Sequence, residues 1–457
     1  MSHHPHTAPA NDPMDLAILR RQFDDAWWQD FMRQTGNMTE TCTISNGLTP
    51  AQTRIMQRHV LDILAEVGQL HQEKYGYRLW IDGQQVEELS PHFALHPMPD
   101  EDVQTWTARA FGTRKFGIIL NRGEKFSSKL SQAAAVILEP ILKMIGMPTE
   151  GILFTIFVGN YDMTPLGIHK DFAGKSGMHF HLGPGPKTMY VWEDEDYKTA
   201  PGEKRCNNMN VAPHLASATR HTFHQGQFYF MPENKFHLGM QDELSIGLAC
   251  WFYNRCDYDF AGELLNRFKA YNLPRSEGML KSDKNPVDDT SAVEPVLSLF
   301  RLEDREDLGV KPLLREIYRD FRYSLFSNAG YRNRPIARTD DIDIGPDDAV
   351  CTDEPYKMFC RQDPRSGHYD VFVRGTKVSL RNFAGLEVIV ERLNAGTPMT
   401  IAQLAGLLDD DPLAAQKVRY LLKVLHKYRG VSVTPSPATQ AVSAGDRVHR
   451  SLTTTEA

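Results

Sequence analysis

A change in the pattern of residue types near residue 151 constrains the fold more than any other feature of this sequence. From there to residue 253, short aromatic and β-branched segments alternate with glycine- and proline-containing turns. The segments are GILFTIFVGNY (151–161), GMHFHLG (177–183), KTMYVWE (187–193), HTFHQGQFYFMP (221–232) and LSIGLACWFY (244–253). Short strands with closely spaced turn signals are typical of an antiparallel barrel or sandwich. The sequence therefore predicts a β-rich core.

Helical periodicity surrounds this core, so the predicted fold class is α+β. Residues 14–75 carry apolar residues at helical spacing, and a second helix is predicted over 127–146, with Pro140 as a bend. KFGIILN (115–121) is a further predicted strand, and residues 258–271 return to a helical pattern. We expect one domain over 14–270, with a barrel core at about 110–260.

The remainder divides by composition. Residues 1–13 and 434–457 have the composition of a disordered leader and tail, and residues 271–293 that of a linker. A helical and irregular region is expected over 294–366. A hairpin around Arg374-Gly375 followed by three helical patterns predicts a winged-helix-like module over 367–433.

Cysteine spacing, hydropathy and net charge indicate the cellular compartment and the classes of partner that the protein can bind. The six cysteines lack C-x-x-C spacing, which favours a reducing cytoplasm. No apolar run approaches the ~18 residues of a membrane helix, and the N-terminus lacks the apolar segment of a signal peptide. The net charge of −7 gives no indication of nucleic-acid binding. A cluster of basic residues in the last predicted helix is the one feature that favours such binding. We therefore expect a cytoplasmic protein that binds neither membranes nor nucleic acid.

The stretch HKDFAGKSGMHFH (169–181) is rich in metal-ligating side chains. Residues i and i+2 of a strand point to the same side, so His169 and Asp171 can share one ion. Two imidazoles and one carboxylate on one face form the usual site of a non-haem Fe(II) oxygenase. In GQFYFMPENKFHLG, Pro232 ends a strand and a short turn leads to His237. We therefore predict His169, Asp171 and His237 as the metal-binding and catalytic residues.

A rival set consists of His179, His181 and His237, as in a cupin metal site. That site also needs a glutamate a few residues after His-x-His. The next four residues here are Leu-Gly-Pro-Gly, and the first acid is Glu193. The rival set is incomplete, although His179 or His181 can still line the pocket without contacting the metal.

A 2-oxoglutarate co-substrate would need a buried cation and a hydroxyl for its remote carboxylate. Lys187 follows the turn GPGP and begins the strand KTMYVWE. Tyr161, Thr164 and Thr155 each offer a hydroxyl nearby in sequence. Arg255 is a weaker alternative for the cation.

These motifs together resemble one family. TPLGIHKD, GPGPKTMYVWE, GQFYFMPENKFHLGM and SIGLACWF are similar to the JmjC and cupin-like Fe(II)/2-oxoglutarate oxygenases over about residues 110–260. The resemblance implies a double-stranded β-helix, iron bound by the predicted triad, 2-oxoglutarate held by Lys187, and O2 as second co-substrate. Gln227 replaces an aspartate that is frequent in the family, and Thr164 lies five positions before His169 rather than about three. These departures leave the hydroxyl partner open.

The resemblance implies hydroxylation of an unactivated C–H bond in an amino-acid side chain of a protein or peptide, or in a related small metabolite. The C-terminal layout resembles that of the ribosomal oxygenases, which implies a homodimer contact through that region. The acidic run WEDEDY (192–197) could attract a cationic substrate, although such runs more often are solvated strand ends. Two alternatives stay open: a cupin metalloenzyme that uses no 2-oxoglutarate, and a non-catalytic winged-helix regulator.

Overall fold

A computed structural model gives the structure of nine stretches of the chain. They are 14–68, 76–86, 95–126, 129–279, 285–302, 305–363, 366–381, 383–408 and 411–437. The predicted leader at 1–13 and most of the predicted tail at 434–457 lie outside the described residues. By its internal contacts the chain divides into two units. Unit 1 is 1–254 with 329–339 and 354–356, and unit 2 is 255–328 with 340–353 and 357–457.

Helices occur in both units. They are α1 (Leu16–Gln22), α2 (Asp25–Gln34), α3 (Pro50–Gly68), α4 (Val103–Phe111), α5 (Lys129–Ile145), α6 (Asp257–Asn272), α7 (Glu294–Leu297), α8 (Val310–Ser327), α9 (Leu386–Asn394), α10 (Ile401–Ala405) and α11 (Ala414–Lys427). No helix in the described part of the chain is both long and apolar enough to span a bilayer.

The strands of unit 1 are β1 (Cys42–Ile44), β2 (Tyr77–Ile81), β3 (Gln84–Gln85), β4 (Phe116–Leu120), β5 (Ile152–Gly159), β6 (His169–Lys170), β7 (Lys175–Pro184), β8 (Lys187–Trp192), β9 (Thr219–Phe223), β10 (Phe228–Met231), β11 (Phe236–Met240) and β12 (Ser245–Tyr253). Those of unit 2 are β13 (Ala349–Cys351), β14 (Phe359–Gln362), β15 (Tyr369–Val373), β16 (Thr376–Leu380) and β17 (Ser432–Thr434).

Unit 1 contains two antiparallel sheets. The larger has the order β1-β10-β7-β12-β5-β4-β2-β3, and the smaller has the order β6-β11-β8-β9. The α+β class and the antiparallel strands are therefore confirmed. Among the described strands of unit 1 the ladders form two open sheets and no closed one, so the expected barrel is not confirmed.

The two faces of the larger sheet have different neighbours. On one face an apolar core is shared with the N-terminal helices and α5, where Phe228 stacks on Phe23 with ring centroids 5.5 Å apart. On the other face, Tyr229 of the larger sheet packs with Val191 and Phe223 of the smaller one. This explains why β5 and β12 are apolar almost throughout: both of their faces are covered.

The prediction of helix over 14–75 is wrong between α2 and α3. There, residues 42–44 form β1, which pairs with β10 at the edge of the larger sheet. β2 and β3 were also missed. β1 and β3, of three and two residues, have too little periodicity to be recognised, because the conformation of so short a strand is set by its partner strand.

In unit 2, the predicted hairpin is confirmed: β15 and β16 pair around Arg374-Gly375. The three predicted helical patterns correspond to α9, α10 and α11. Thr400 begins α10 with a capping box in which its side chain and that of Gln403 each accept a backbone N–H of the other residue. β17 pairs with β13, which lies inside the region expected to be helical or irregular. The winged-helix interpretation and the domain boundaries stay predictions.

Candidate metal and co-substrate site

Two strands of the smaller sheet bring the predicted metal-binding histidines together. β11 and β6 are antiparallel, with His237 directly opposite His169, and the two ring centroids are 4.2 Å apart. On the far side of β6, the backbones of Ile168 and Asn208 exchange two hydrogen bonds, of 2.8 and 2.9 Å. Asp171 follows β6 directly. All three residues of the predicted triad therefore lie at one edge of this sheet.

Both histidines have one ring nitrogen engaged by the backbone. His169 Nδ1 lies 2.9 Å from the carbonyl oxygen of Gly167, and His237 Nδ1 lies 3.1 Å from that of Lys235. A carbonyl only accepts, so each Nδ1 carries the proton and each Nε2 keeps its lone pair. Burial lowers the pKa of both imidazoles below the usual value. They are neutral near pH 7, as metal ligands must be.

Asp171 uses its two oxygens differently. Oδ1 accepts a hydrogen bond of 2.8 Å from Lys175 Nζ. Oδ2 is buried, lies 3.9 Å from His237 Nε2, and has no hydrogen-bond partner among the described residues. Burial alone would raise the pKa of Asp171, but the charge and the hydrogen bond of Lys175 bring it below its usual value. An ionised carboxylate oxygen without a partner is a feature that a bound cation would explain.

The donor types fit an iron site: two imidazole nitrogens and one carboxylate oxygen. Their spacing is more open than that of a loaded site. Among the described residues, no three His, Cys, Asp or Glu side chains already stand close enough to hold an ion. The 3.9 Å between Asp171 Oδ2 and His237 Nε2 exceeds the about 3 Å expected for neighbouring ligands that each lie about 2.1 Å from one ion.

Lys187 is the first residue of β8, which pairs with β11 on the side opposite β6. Its side chain is buried between the sheets, where Nζ donates a hydrogen bond of 3.2 Å to the hydroxyl of Tyr161. In the described part of the chain, no carboxylate forms an ion pair with it. Burial lowers the pKa of Lys187 to about 7. A buried ammonium with one neutral partner is costly, and a ligand carboxylate would offset that cost.

The three candidate hydroxyls have different surroundings. Tyr161 bonds Lys187 directly. Thr164 Oγ1 is buried without a partner among the described residues, and its methyl group and the Lys187 stem both flank Gly239. Thr155 is already engaged, at 3.1 Å from Asn121 Oδ1 and 3.0 Å from Trp251 Nε1. Tyr161 and Thr164 thus lie beside the lysine, and Thr155 serves other partners.

His179 and His181 lie on β7, in the larger sheet. His181 Nε2 is 2.7 Å from the Gly185 carbonyl oxygen. His179 Nε2 is buried and has no partner among the described residues, and its ring occupies the space that a side chain at Gly247 would need. Burial lowers the pKa of both, to about 4 for His181. They are neutral residues of the inner wall, on a different sheet from His169 and His237.

Two residues at this site were not predicted from the sequence. Lys175 was not among the predicted site residues, and it donates a hydrogen bond to Asp171. Tyr229 lies opposite His179 in the β10–β7 ladder, and its buried hydroxyl has no partner among the described residues. The alternation in FYFM could have indicated Tyr229 as inward-facing, whereas no spacing in the sequence indicated the contact of Lys175.

Two charged features are partly neutralised by their neighbours. In the acidic run, Glu193 pairs with Lys235, and Asp194 pairs with Lys170 and Arg205. Glu195 and Asp196 are exposed and form no ion pair with the described residues, so the pairing reduces the negative charge that the run offers a cationic substrate without removing it.

In unit 2, α11 carries the basic residues of the last predicted helix. Lys417 pairs with Asp411 at 2.6 Å, and Lys423 lies 3.6 Å from Asp341. His426 of the same helix is buried. These contacts reduce the basic face that nucleic acid would need.

No family model matches this sequence, and no curated protein matches it. Among solved structures, the ribosomal oxygenase YcfD from Escherichia coli, in complex with cobalt and succinic acid, is similar over 89% of this chain and 98% of that chain. The TM-score is 0.45 and the identity 12%. A non-haem α-ketoglutarate-dependent carbocyclase from nogalamycin biosynthesis, SnoK, is similar over 53% of this chain and 87% of that chain, with a TM-score of 0.29 and 13% identity. A similarity at these scores does not assign a function.

Proposed function

We propose that this protein is a non-haem Fe(II)- and 2-oxoglutarate-dependent oxygenase. One observation carries the proposal: a three-strand segment of one sheet holds both halves of the required site. β6 and β11 present two neutral imidazoles and a carboxylate oxygen without a partner, and β8 presents the buried Lys187 ammonium. An iron site without 2-oxoglutarate has no need for that lysine.

His169, Asp171 and His237 would hold the iron. Bound together, iron, 2-oxoglutarate and O2 supply an oxidative decarboxylation that is coupled to hydroxylation of a C–H bond. The Nδ1–H bonds to Gly167 and Lys235 fix the orientation of the two rings.

Lys187 would bind the remote carboxylate of 2-oxoglutarate, with the hydroxyls of Tyr161 and Thr164 as additional hydrogen-bonding groups. Lys187 is buried, and its Nζ lies 4.8 Å from the ring centroid of Phe157 and 5.8 Å from that of Tyr161, so water has little access to this end of the site. In a medium of low polarity, an ion pair between carboxylate and lysine is stronger than in water.

The facing sheets, with the triad and lysine on the smaller one, support a double-stranded β-helix of the JmjC and cupin-like type. On the resemblance of its motifs, we assign as substrate an amino-acid side chain in a protein or peptide, or a related metabolite. Stimulation of succinate formation by peptide pools, measured against free amino acids, tests this class. Stimulation by neither would reject it.

Anaerobic titration with Fe(II) and then 2-oxoglutarate tests the proposed function. A keto acid that chelates iron gives a weak visible charge-transfer band, and we expect this band in the wild type. Lys187→Met keeps the length of the stem and removes the charge, so the band should need at least about tenfold more 2-oxoglutarate. Absence of the band would reject the oxygenase. An unchanged titration of the variant would favour a cupin metalloenzyme whose ligand does not use Lys187.

A further inference from the structure

We propose that Lys175 is a positioning residue that occupies one oxygen of Asp171, so that the carboxylate offers the metal a single oxygen. The inference rests on the proposed function, because it concerns how a proposed iron ligand is presented. No motif in the sequence points to a role for Lys175 in the chemistry.

The two carboxylate oxygens of Asp171 have different contacts. Oδ1 receives the hydrogen bond from Lys175, at 2.8 Å. Oδ2 is the oxygen without a partner among the described residues, and it is the one that lies 3.9 Å from His237 Nε2. The ammonium therefore determines which oxygen faces the histidines.

Lys175 is itself held in place by aromatic rings. Its Nζ lies 3.8 Å from the ring centroid of Trp251, 5.9 Å from that of Phe172 and 6.0 Å from that of Tyr253. Its side chain is only 13% exposed. Attraction between the cation and these rings keeps the ammonium from following the carboxylate if the carboxylate turns.

The short connection between Asp171 and Lys175 is also fixed. The backbone N–H of Gly174 donates to a carboxylate oxygen of Glu233. The carbonyl oxygen of Gly174 accepts a 2.8 Å hydrogen bond from the backbone N–H of Asn254. In addition, Lys175 begins β7 and pairs there with Tyr253 of β12. The two charged residues are thus held at the two ends of one anchored loop.

This arrangement matters because a carboxylate can bind a metal through one oxygen or both. A site with two histidines and one single-oxygen carboxylate leaves about three of six positions open. A chelating keto acid and O2 need all three. If both oxygens of Asp171 bound the metal, one of those positions would be lost.

The test uses Mn(II) as the probe and counts metal-bound water by water-proton relaxation. We expect about three water molecules in the wild type and about two in Lys175→Met. Affinity of the Mn(II)-loaded variant for 2-oxoglutarate should fall by about tenfold or more. The matched control is Lys170→Met, from the neighbouring strand β6, whose ammonium bonds Asp194 instead. It should keep the wild-type water count.

The number of metal-bound water molecules tests the role of Lys175, whereas the affinity for Mn(II) does not. Removing a positive charge favours cation binding, whereas a mobile carboxylate disfavours it, so the two effects on affinity oppose each other. An unchanged water count in Lys175→Met, with only a lower melting temperature, would reduce Lys175 to a packing contact with Trp251 and overturn the inference. A wild type that binds Mn(II) but not 2-oxoglutarate would reject the proposed function, while the water counts still test Lys175. A wild type that binds no Mn(II) would reject both.

Discussion

Burial of Lys187 makes co-substrate binding depend on pH. Burial lowers the pKa of this lysine to about 7, and a bound carboxylate needs the charged form. Below pH 7 the free protein already carries the charge, so affinity changes little. Above pH 7 binding must include uptake of a proton. The dissociation constant of the Mn(II)-loaded protein for 2-oxoglutarate should therefore rise with pH, by up to about tenfold per unit, as isothermal titration at several pH values would measure.

Lys187→Met provides the control for this pH dependence. The variant should bind weakly at every pH and show no slope above pH 7, because the titrating group is gone. The histidines do not contribute a competing slope, since burial lowers the pKa of His169 and His237. A wild-type affinity that stays constant from pH 7 to 9 would mean that the lysine remains charged without its ligand.

At the scale of single residues, the sequence predicted what depends on strand spacing. His169 and Asp171 share a side because they are two positions apart, and Pro232 marked the turn that leads to His237. Interactions that depend on how a loop runs were not predictable. Lys175 is an example, because its bond to Asp171 requires the path of residues 172–174, which no local pattern specifies.

At the scale of elements, the weakest support of the site is β6, which is only two residues long. Its outer edge is held by the backbone of Asn208, and the side chain of Asn208 donates a 3.0 Å hydrogen bond to Glu203. Glu203 also accepts from Asn210 and contacts His214 at 3.1 Å. Glu203→Ala removes the acceptor that orders this segment, so we expect Mn(II) affinity to fall by about tenfold, as an EPR titration would show.

Glu195→Ala is the matched control for that variant, because Glu195 is an exposed acid of the same connection between β8 and β9. It should bind Mn(II) like the wild type. Equal losses in both variants would indicate a general effect of negative charge rather than support of β6.

Strand prediction succeeded where composition and turn signals coincide, as in β5, β7, β8, β10 and β12. It failed for β1, β2 and β3. These strands lie towards the two edges of the larger sheet, where the pairing partner determines the conformation and the local sequence contributes little.

At the scale of the molecule, the chain leaves unit 1 after residue 254 and enters it again at 329–339. This segment lies within the predicted region 294–366, and composition alone does not reveal such contacts between residues far apart in the chain. The returning segment is well anchored. The hydroxyl of Tyr331 donates to the Ser131 carbonyl oxygen at 2.8 Å, and Asn333 donates to Glu124 at 2.6 Å.

Replacing Tyr331 measures how much this return contributes to unit 1. Its side chain is 2% exposed and meets the Phe154 ring edge-on, with centroids 5.9 Å apart. Tyr331→Ala should lower the free energy of unfolding of unit 1 by about 3–5 kcal/mol through the cavity it leaves. Tyr331→Phe removes only the hydrogen bond and should cost about 1 kcal/mol. In calorimetry, the transition that shifts upward when Mn(II) is added reports unit 1, because ligand binding stabilises the unit that holds the site. Tyr331→Ala should lower the midpoint temperature of that transition and leave the midpoint of any other transition unchanged. If only a transition that does not respond to Mn(II) shifted, the segment would stabilise unit 2 instead.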